Sequence, residues 1–305
     1  MKNKDKLFHQ DTNAIRGGYE PTHENEHSEA LFLTSSYVFE SAEMAAKSFS
    51  NEIEANVYSR YTNPTVRSFE QRLALMEEAE QAVATSSGIA ASLAVIMALL
   101  EAGDHILCSR EVFGSTRILM DKYITKFGVE VTYVPLTNLA AWQSAVQPNT
   151  KMFFCETPSN PLSEIADIEA LSQLSKQAQA LLVVDNCFCT PVLQKPLQWG
   201  ADIVVHSATK FLSGHGTVMA GLIVDGGTFD WESSDKFPQM TEKYAGFHNL
   251  SFVEEFGPAA YIARVRNEAA RDFGACLAPN SSFLVLYGTE TLSVRMDKHI
   301  SNTKK

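Results

Sequence analysis

The spacing of hydrophobic positions changes character along the chain. Residues 1–57 are polar and weakly periodic, broken by Gly17-Gly18 and Pro21, and read as an N-terminal arm rather than a domain. At Asn63-Pro64 an N-cap followed by proline opens a helical pattern, in which Val66, Phe69, Leu73 and Met76 recur on one face. Short apolar runs then alternate with helical segments. AVAT at 82–85 precedes a helix from Gly88 towards Leu100, closed by Gly103, and HILC at 105–108 precedes a helix ending near Gly128. VEVTYV, KMFFC, LLVVD, ADIVVH and GLIVD follow. Runs such as LLVV and DIVV are apolar at every position, which suits strands covered on both faces. Strands alternating with helices predict an α/β domain over residues 58–256 with a mostly parallel central sheet. After Gly257-Pro258, a helix is expected through AAYIARVRNEAARDF and another around LSVRMDKHI; residues 257–305 read as an abbreviated C-terminal domain.

Composition narrows the function. The net charge of −11 argues against nucleic acid or an anionic membrane as partner, since both need basic patches. No run of about 18 apolar residues is present, and no apolar core follows the first lysines. The five cysteines lack framework spacing and read as small buried residues of a cytoplasmic protein. A small-molecule ligand is the expectation.

Ligands of open parallel sheets bind beyond the carboxyl ends of the strands. Ser86-Ser87-Gly88, Glu156-Thr157-Pro158-Ser159-Asn160-Pro161, Asp185-Asn186 and Ser207-Ala208-Thr209-Lys210 all fall at such ends, so one cleft should gather them. The SSG turn opens a helix, whose unpaired amino-terminal N–H groups suit a phosphate. Ser207 and Thr209 can add hydroxyl donors, Lys210 can form an imine with an aldehyde, and Asp185 can hold a protonated ring nitrogen. That set matches the requirements of pyridoxal 5'-phosphate, PLP. Neither a GxxxxGK phosphate loop nor an intact GxGxxG is present.

YSRYTNPT at 58–65, SSGIAA at 86–91, ETPSNP at 156–161, VVDN at 183–186 and SATKFLSGHG at 207–216 resemble the cystathionine γ-synthase family, the PLP enzymes of cysteine and methionine metabolism. The resemblance covers nearly the whole chain. It implies the aspartate aminotransferase-like fold (fold type I), with Lys210 as the imine-forming lysine and Asp185 as partner of the pyridine nitrogen. It further implies Gly88 and Ile89 as backbone donors to the phosphate, aided by Ser207 and Thr209. Asn160 would contact the phenolic oxygen or the substrate carboxylate. Tyr58 and Arg60 would reach the phosphate of a neighbouring subunit, so a homodimer, or a tetramer of two dimers, is implied.

Phe113, in EVFGSTR, takes the ring-stacking position where the family usually has tyrosine, and this looks like the O-succinylhomoserine sulfhydrylase branch. That flavour extends to about residue 212. Beyond Gly214 the text looks like O-acetylhomoserine sulfhydrylase. The implied reaction is γ-replacement on an O-acylhomoserine by sulfide, giving homocysteine for methionine biosynthesis. Cystathionine γ-synthase or γ-lyase activity is the alternative, as is a shortened relative that keeps the fold and cofactor without catalysis, because the family's carboxylate-binding arginine lies in a region beyond Lys305.

One rival motif stands in the arm. His23-Glu24-Asn25-Glu26-His27 matches HExxH, in which two histidines one helical turn apart hold zinc. The stretch follows Pro21-Thr22 and has no apolar face to seat a helix, so no metal site is expected.

Overall fold

Seven strands carry the fold in a computed structural model that describes residues 8–50, 52–247 and 249–305. They are β1 (Gln81–Thr85), β2 (His105–Ser109), β3 (Glu130–Val134), β4 (Thr150–Glu156), β5 (Leu181–Asp185), β6 (Ile203–His206) and β7 (Gly221–Asp225), in the order β1-β7-β6-β5-β4-β2-β3. Each coincides with a run named above. The pairs β2–β3, β2–β4, β4–β5 and β5–β6 are parallel, whereas β7 runs antiparallel to both β1 and β6. The expected mostly parallel sheet is present; the reversal of β7 is an addition to it. Because β1 and β6 both oppose β7, β1 points the same way as the parallel block, and the carboxyl ends of β1, β4, β5 and β6 share one edge.

Side-chain alternation divides the core into layers. On one face Val83, Phe154, Val183, Val205 and Ile223 pack against Val95 and Ile96 of a helix over Gly88–Met97 and against Tyr261 and Val265. On the other, Ala84, Val204, Leu222 and Val224 meet Phe69, Leu73 and Met76 of the Pro64–Glu77 helix and Val285 and Leu286, while Phe153, Leu182 and Val184 meet Trp142 and Leu171. The central strands are thus covered on both sides, which is why they show no polar alternation.

The arm carries two helices that its weak periodicity did not announce. These are α1 (Gln10–Arg16) and α2 (Ala42–Phe49), followed by α3 (Pro64–Glu77), α4 (Gly88–Met97) and α5 (Gly114–Ile118). The Asn63 side chain caps α3 through the N–H groups of Thr65 and Val66, with Pro64 at the first position. Arg72 of α3 is fully buried; it donates to the Gly17 carbonyl and pairs with Glu29, locking the start of the arm to the body. The helical reading towards Gly128 breaks into three pieces, α5, a π-helical turn and a 3₁₀ turn, ending where Gly128 adopts φ 82°. A helix over Pro279–Glu290, before the expected one at Leu292–Thr303, was not anticipated.

Candidate active site

Ser87 caps α4 by accepting from the Ala90 N–H at 3.2 Å, leaving the first turn's N–H groups at Gly88 and Ile89 aimed out of the helix end. That end sits directly on the turn after β6. A Cβ added at Gly88 would lie 2.7 Å from the Ser207 Cβ and 2.9 Å from its Cα, and one at Gly221 would lie 2.1 Å from the Ser87 carbonyl oxygen. Only glycine permits this approach, so the helix terminus and the Ser207–Lys210 turn form one cradle.

Lys210 follows on that turn. Its side chain is exposed and makes no hydrogen bond or ion pair with any described residue, leaving its ammonium uncommitted. The turn is held from below by the Leu292–Thr303 helix, where Arg295 donates to the carbonyls of Phe211 at 2.7 Å and Gly288 at 2.6 Å. The Thr209 hydroxyl accepts from the Ala220 N–H at 3.0 Å and returns a bond to the Ala220 carbonyl, so in this arrangement its proton braces the turn. Thr209 and Ser86 line a cavity of about 610 Å³ together with residues 216–219 and 276–278.

Asp185 ends β5 half-buried, with one carboxylate oxygen accepting the Cys187 N–H at 3.1 Å. Burial raises its pKa, while the His206 charge and the Cys187 N–H pull it back. Beside it Glu156, the last residue of β4, is raised by burial and by the Asp185 charge. Cys187, between them and the lysine turn, registers the same set. Its thiol is pushed up by burial and by Asp185 and Glu156, and drawn down by Lys210. Phe113 occupies the position before α5 with its ring 43% exposed, and its N–H donates to Glu156 Oε2 at 2.5 Å. Asn160, half-buried, follows in the loop after β4.

Tyr58 and Arg60 stand apart from this group. Both are exposed and line a different cavity of about 290 Å³ with Phe49, Tyr61 and Arg271. Arg60 stacks 5.3 Å from the Tyr58 ring centre and donates to the Arg271 carbonyl. The HExxH stretch folds as turns, not a helix, and Arg16 holds His27 through its carbonyl and ring. No group of three metal-ligating side chains converges among the described residues.

Two contributors escaped the sequence reading, Arg295 and the buried pair of Glu77 and His206, while Glu156 was expected in the cleft but its bond to the Phe113 N–H was not. Nothing local marks Arg295 as the support of a turn more than 80 residues away. Backbone donors at a helix start, a carboxylate with a raised pKa, an uncommitted amine and an exposed aromatic face are the complement of a phosphate, a protonated ring nitrogen, an aldehyde and a flat ring. The residues present therefore fit PLP.

The fold and this set of groups are those of the PLP-dependent α/β enzyme class. Over residues 11–305 the chain belongs to the Cys/Met metabolism PLP-dependent enzyme family. It is 50% identical to the O-succinylhomoserine sulfhydrylase of Pseudomonas aeruginosa over 95% of its length and 64% of that protein's. It is 37% identical to the O-acetyl-L-homoserine sulfhydrylase of Leptospira meyeri over 98% of its length and 69% of that protein's. Among solved structures, a chain assigned as an O-acetylhomoserine (thiol)-lyase from Campylobacter jejuni, carrying N'-pyridoxyl-lysine-5'-monophosphate, superposes with a TM-score of 0.93 at 32% identity, covering 97% of this chain and 73% of that one. The chain thus spans just under two thirds of the Pseudomonas relative.

Proposed function

We propose that the chain exchanges the γ-acyloxy group of an O-acylhomoserine for sulfide, releasing the carboxylate and homocysteine, with O-succinylhomoserine as the preferred donor. The observation that carries the reading is the uncommitted Lys210 amine on the turn against which the α4 amino terminus packs. The 50% identity to an O-succinylhomoserine sulfhydrylase supports the choice of donor.

Bound PLP supplies an electron sink for the substrate's α-carbon. Lys210 Nζ would hold the cofactor through its aldehyde, and its amine, when free, would serve as the base that carries protons at the substrate's α-carbon. Asp185 holds a proton on the ring nitrogen. Gly88 and Ile89 bind the phosphate through their N–H groups, Ser207 adds its hydroxyl, and Thr209 fixes the turn that carries both. The exposed Phe113 ring would offer an aromatic face to the cofactor but, lacking a hydroxyl, would move no proton. Asn160 orients the substrate carboxylate or the cofactor's phenolic oxygen.

Tyr58 and Arg60 serve a second copy of the chain. Their exposure and their separate cavity support a homodimer in which each copy completes the partner's phosphate site. Leu33, Val38 and Phe49, at 69%, 100% and 63% exposed, give the N-terminal arm an apolar surface to bury. Five unpaired cysteines support a cytoplasmic location, and no described helix is long and apolar enough to cross a membrane.

Adding PLP to the purified chain should produce a visible absorption band that Lys210→Ala abolishes. Adding sulfide with O-succinylhomoserine, and in a parallel assay with O-acetylhomoserine, should then yield homocysteine, faster from the succinyl donor. A band unchanged in the alanine variant would overturn the lysine assignment, and a wild-type band with no homocysteine from either acyl donor would overturn the sulfhydrylase reading.

A further inference from the structure

Glu156 and Asp185 face each other across the β4–β5 ladder as register partners. Two residues before each, Phe154 and Val183 pack in the same core layer, so alternation turns both carboxyl groups to the face on which α4 lies. Glu156 is 3% exposed, and its bond to the Phe113 N–H reaches across to the start of α5. α5 has no side-chain cap of its own, so this carboxyl does the work of one from a neighbouring strand.

We propose that Glu156 is a positioning residue of the cofactor site, fixing the Phe113 ring over the floor that Asp185 provides. This rests on the PLP reading above. The two carboxyl groups divide the labour by their surroundings. Burial raises Asp185 as well, but the His206 charge and the Cys187 N–H both pull it back towards its ionised form. Glu156 has only the Phe113 N–H to set against burial and the neighbouring carboxylate, so it keeps its proton longer. A single negative charge then lies under a singly protonated ring. When Glu156 ionises at alkaline pH, two like charges stand side by side and the floor is disturbed.

The test compares wild type, Glu156→Gln and Glu156→Ala by PLP titration and by visible circular dichroism of the bound cofactor, from neutral to alkaline pH. Dichroism reports how the ring is seated, independently of turnover. Wild type should lose affinity and signal at alkaline pH. Glu156→Gln keeps an acceptor for the Phe113 N–H and cannot ionise, so it should match wild type at neutral pH and lose the alkaline fall. Glu156→Ala should bind about tenfold more weakly, the loss expected of one buried hydrogen bond, with an altered dichroism at every pH. A Glu156→Ala signal and affinity equal to wild type, or an alkaline fall that persists in Glu156→Gln, would overturn the proposal. Wild type that forms no band at all would instead overturn the PLP reading.

Discussion

The tightest constraint in the site is a missing side chain. Gly88 lies against backbone as well as side-chain atoms of Ser207, so a methyl group there cannot be relieved by a rotamer change. Gly88→Ala should push the α4 amino terminus off the lysine turn and weaken PLP binding by about 10- to 100-fold, equivalent to the usual 1–3 kcal/mol of overpacking. Titration of the visible band reads this directly, and an affinity within twofold of wild type would mean that the cradle is not where the phosphate sits. At this scale much of the site was legible: Lys210, Asp185, Ser207 and Gly88 all lie at strand ends or helix starts, positions that apolar runs and turn residues mark in the sequence. Glu156 was legible only as a member of the cleft; its bond to Phe113 and its register with Asp185 were not, because both partners reach it only through the fold. The commitment of the Thr209 hydroxyl to Ala220 was equally hidden, since β7 returns past the turn in a direction no local pattern encodes.

Elements were legible in proportion to how uniformly they are buried. Six of the seven strands appeared as apolar runs because most of their positions face a packed layer, whereas β3, with only Val134 buried, showed as an alternation. The Pro279–Glu290 helix was invisible for the opposite reason: it buries Ser282, Gly288 and Thr289 along with Val285 and Leu286, so no apolar stripe forms. Gly288 explains the choice of small residues, as a Cβ there would meet the Leu212 and Ser213 carbonyl oxygens at 2.5 and 2.2 Å. Between elements, the junction of α3 and β6 is the most exacting. Glu77 Oε1 and His206 Nε2 meet at 2.6 Å with both side chains fully buried, Asn186 Nδ2 reaches the same oxygen at 3.4 Å, and Glu77 Oε2 and His206 Nδ1 have no hydrogen-bond partner among the described residues. Removing one member strands the other in a dry interior, at a cost of about 3–5 kcal/mol. His206→Leu should therefore lower the denaturant midpoint sharply, and the double change Glu77→Met with His206→Leu should recover most of the loss. A double variant no more stable than the single one would show that the pair supplies net stability of its own.

Across the whole molecule, the sheet separates two acidic regions. The site lies at the carboxyl ends of β4, β5 and β6, while Asp202, just before β6, and Asp225, at the end of β7, lie at the opposite edge, where the Gly226 N–H donates to the Asp202 carbonyl. Burial pushes both of these carboxyls up to about 7, although each accepts a backbone N–H, from Leu182 and Gly227 respectively. In the unfolded chain they titrate near the ordinary value of about 3.9. Between those limits the folded protein holds protons that the unfolded chain has released. Unfolding then releases protons, and stability falls as pH rises through this window and levels off above about 7. The Glu78–Lys195 bridge acts in the other sense, holding the Glu78 carboxyl below its usual range, but its contribution fades only once the pH falls below that of an ordinary carboxylate. The melting temperature should accordingly rise on acidification from mildly alkaline to mildly acidic pH. Asp202→Asn keeps an oxygen for the Leu182 N–H and cannot ionise, so it should remove up to about 1.4 kcal/mol per pH unit from the slope. PLP affinity should stay unchanged in that variant because the site is at the other edge. A melting temperature independent of pH in the wild type, or a slope unaltered in Asp202→Asn, would mean that water reaches these carboxyls and keeps them ionised in the fold.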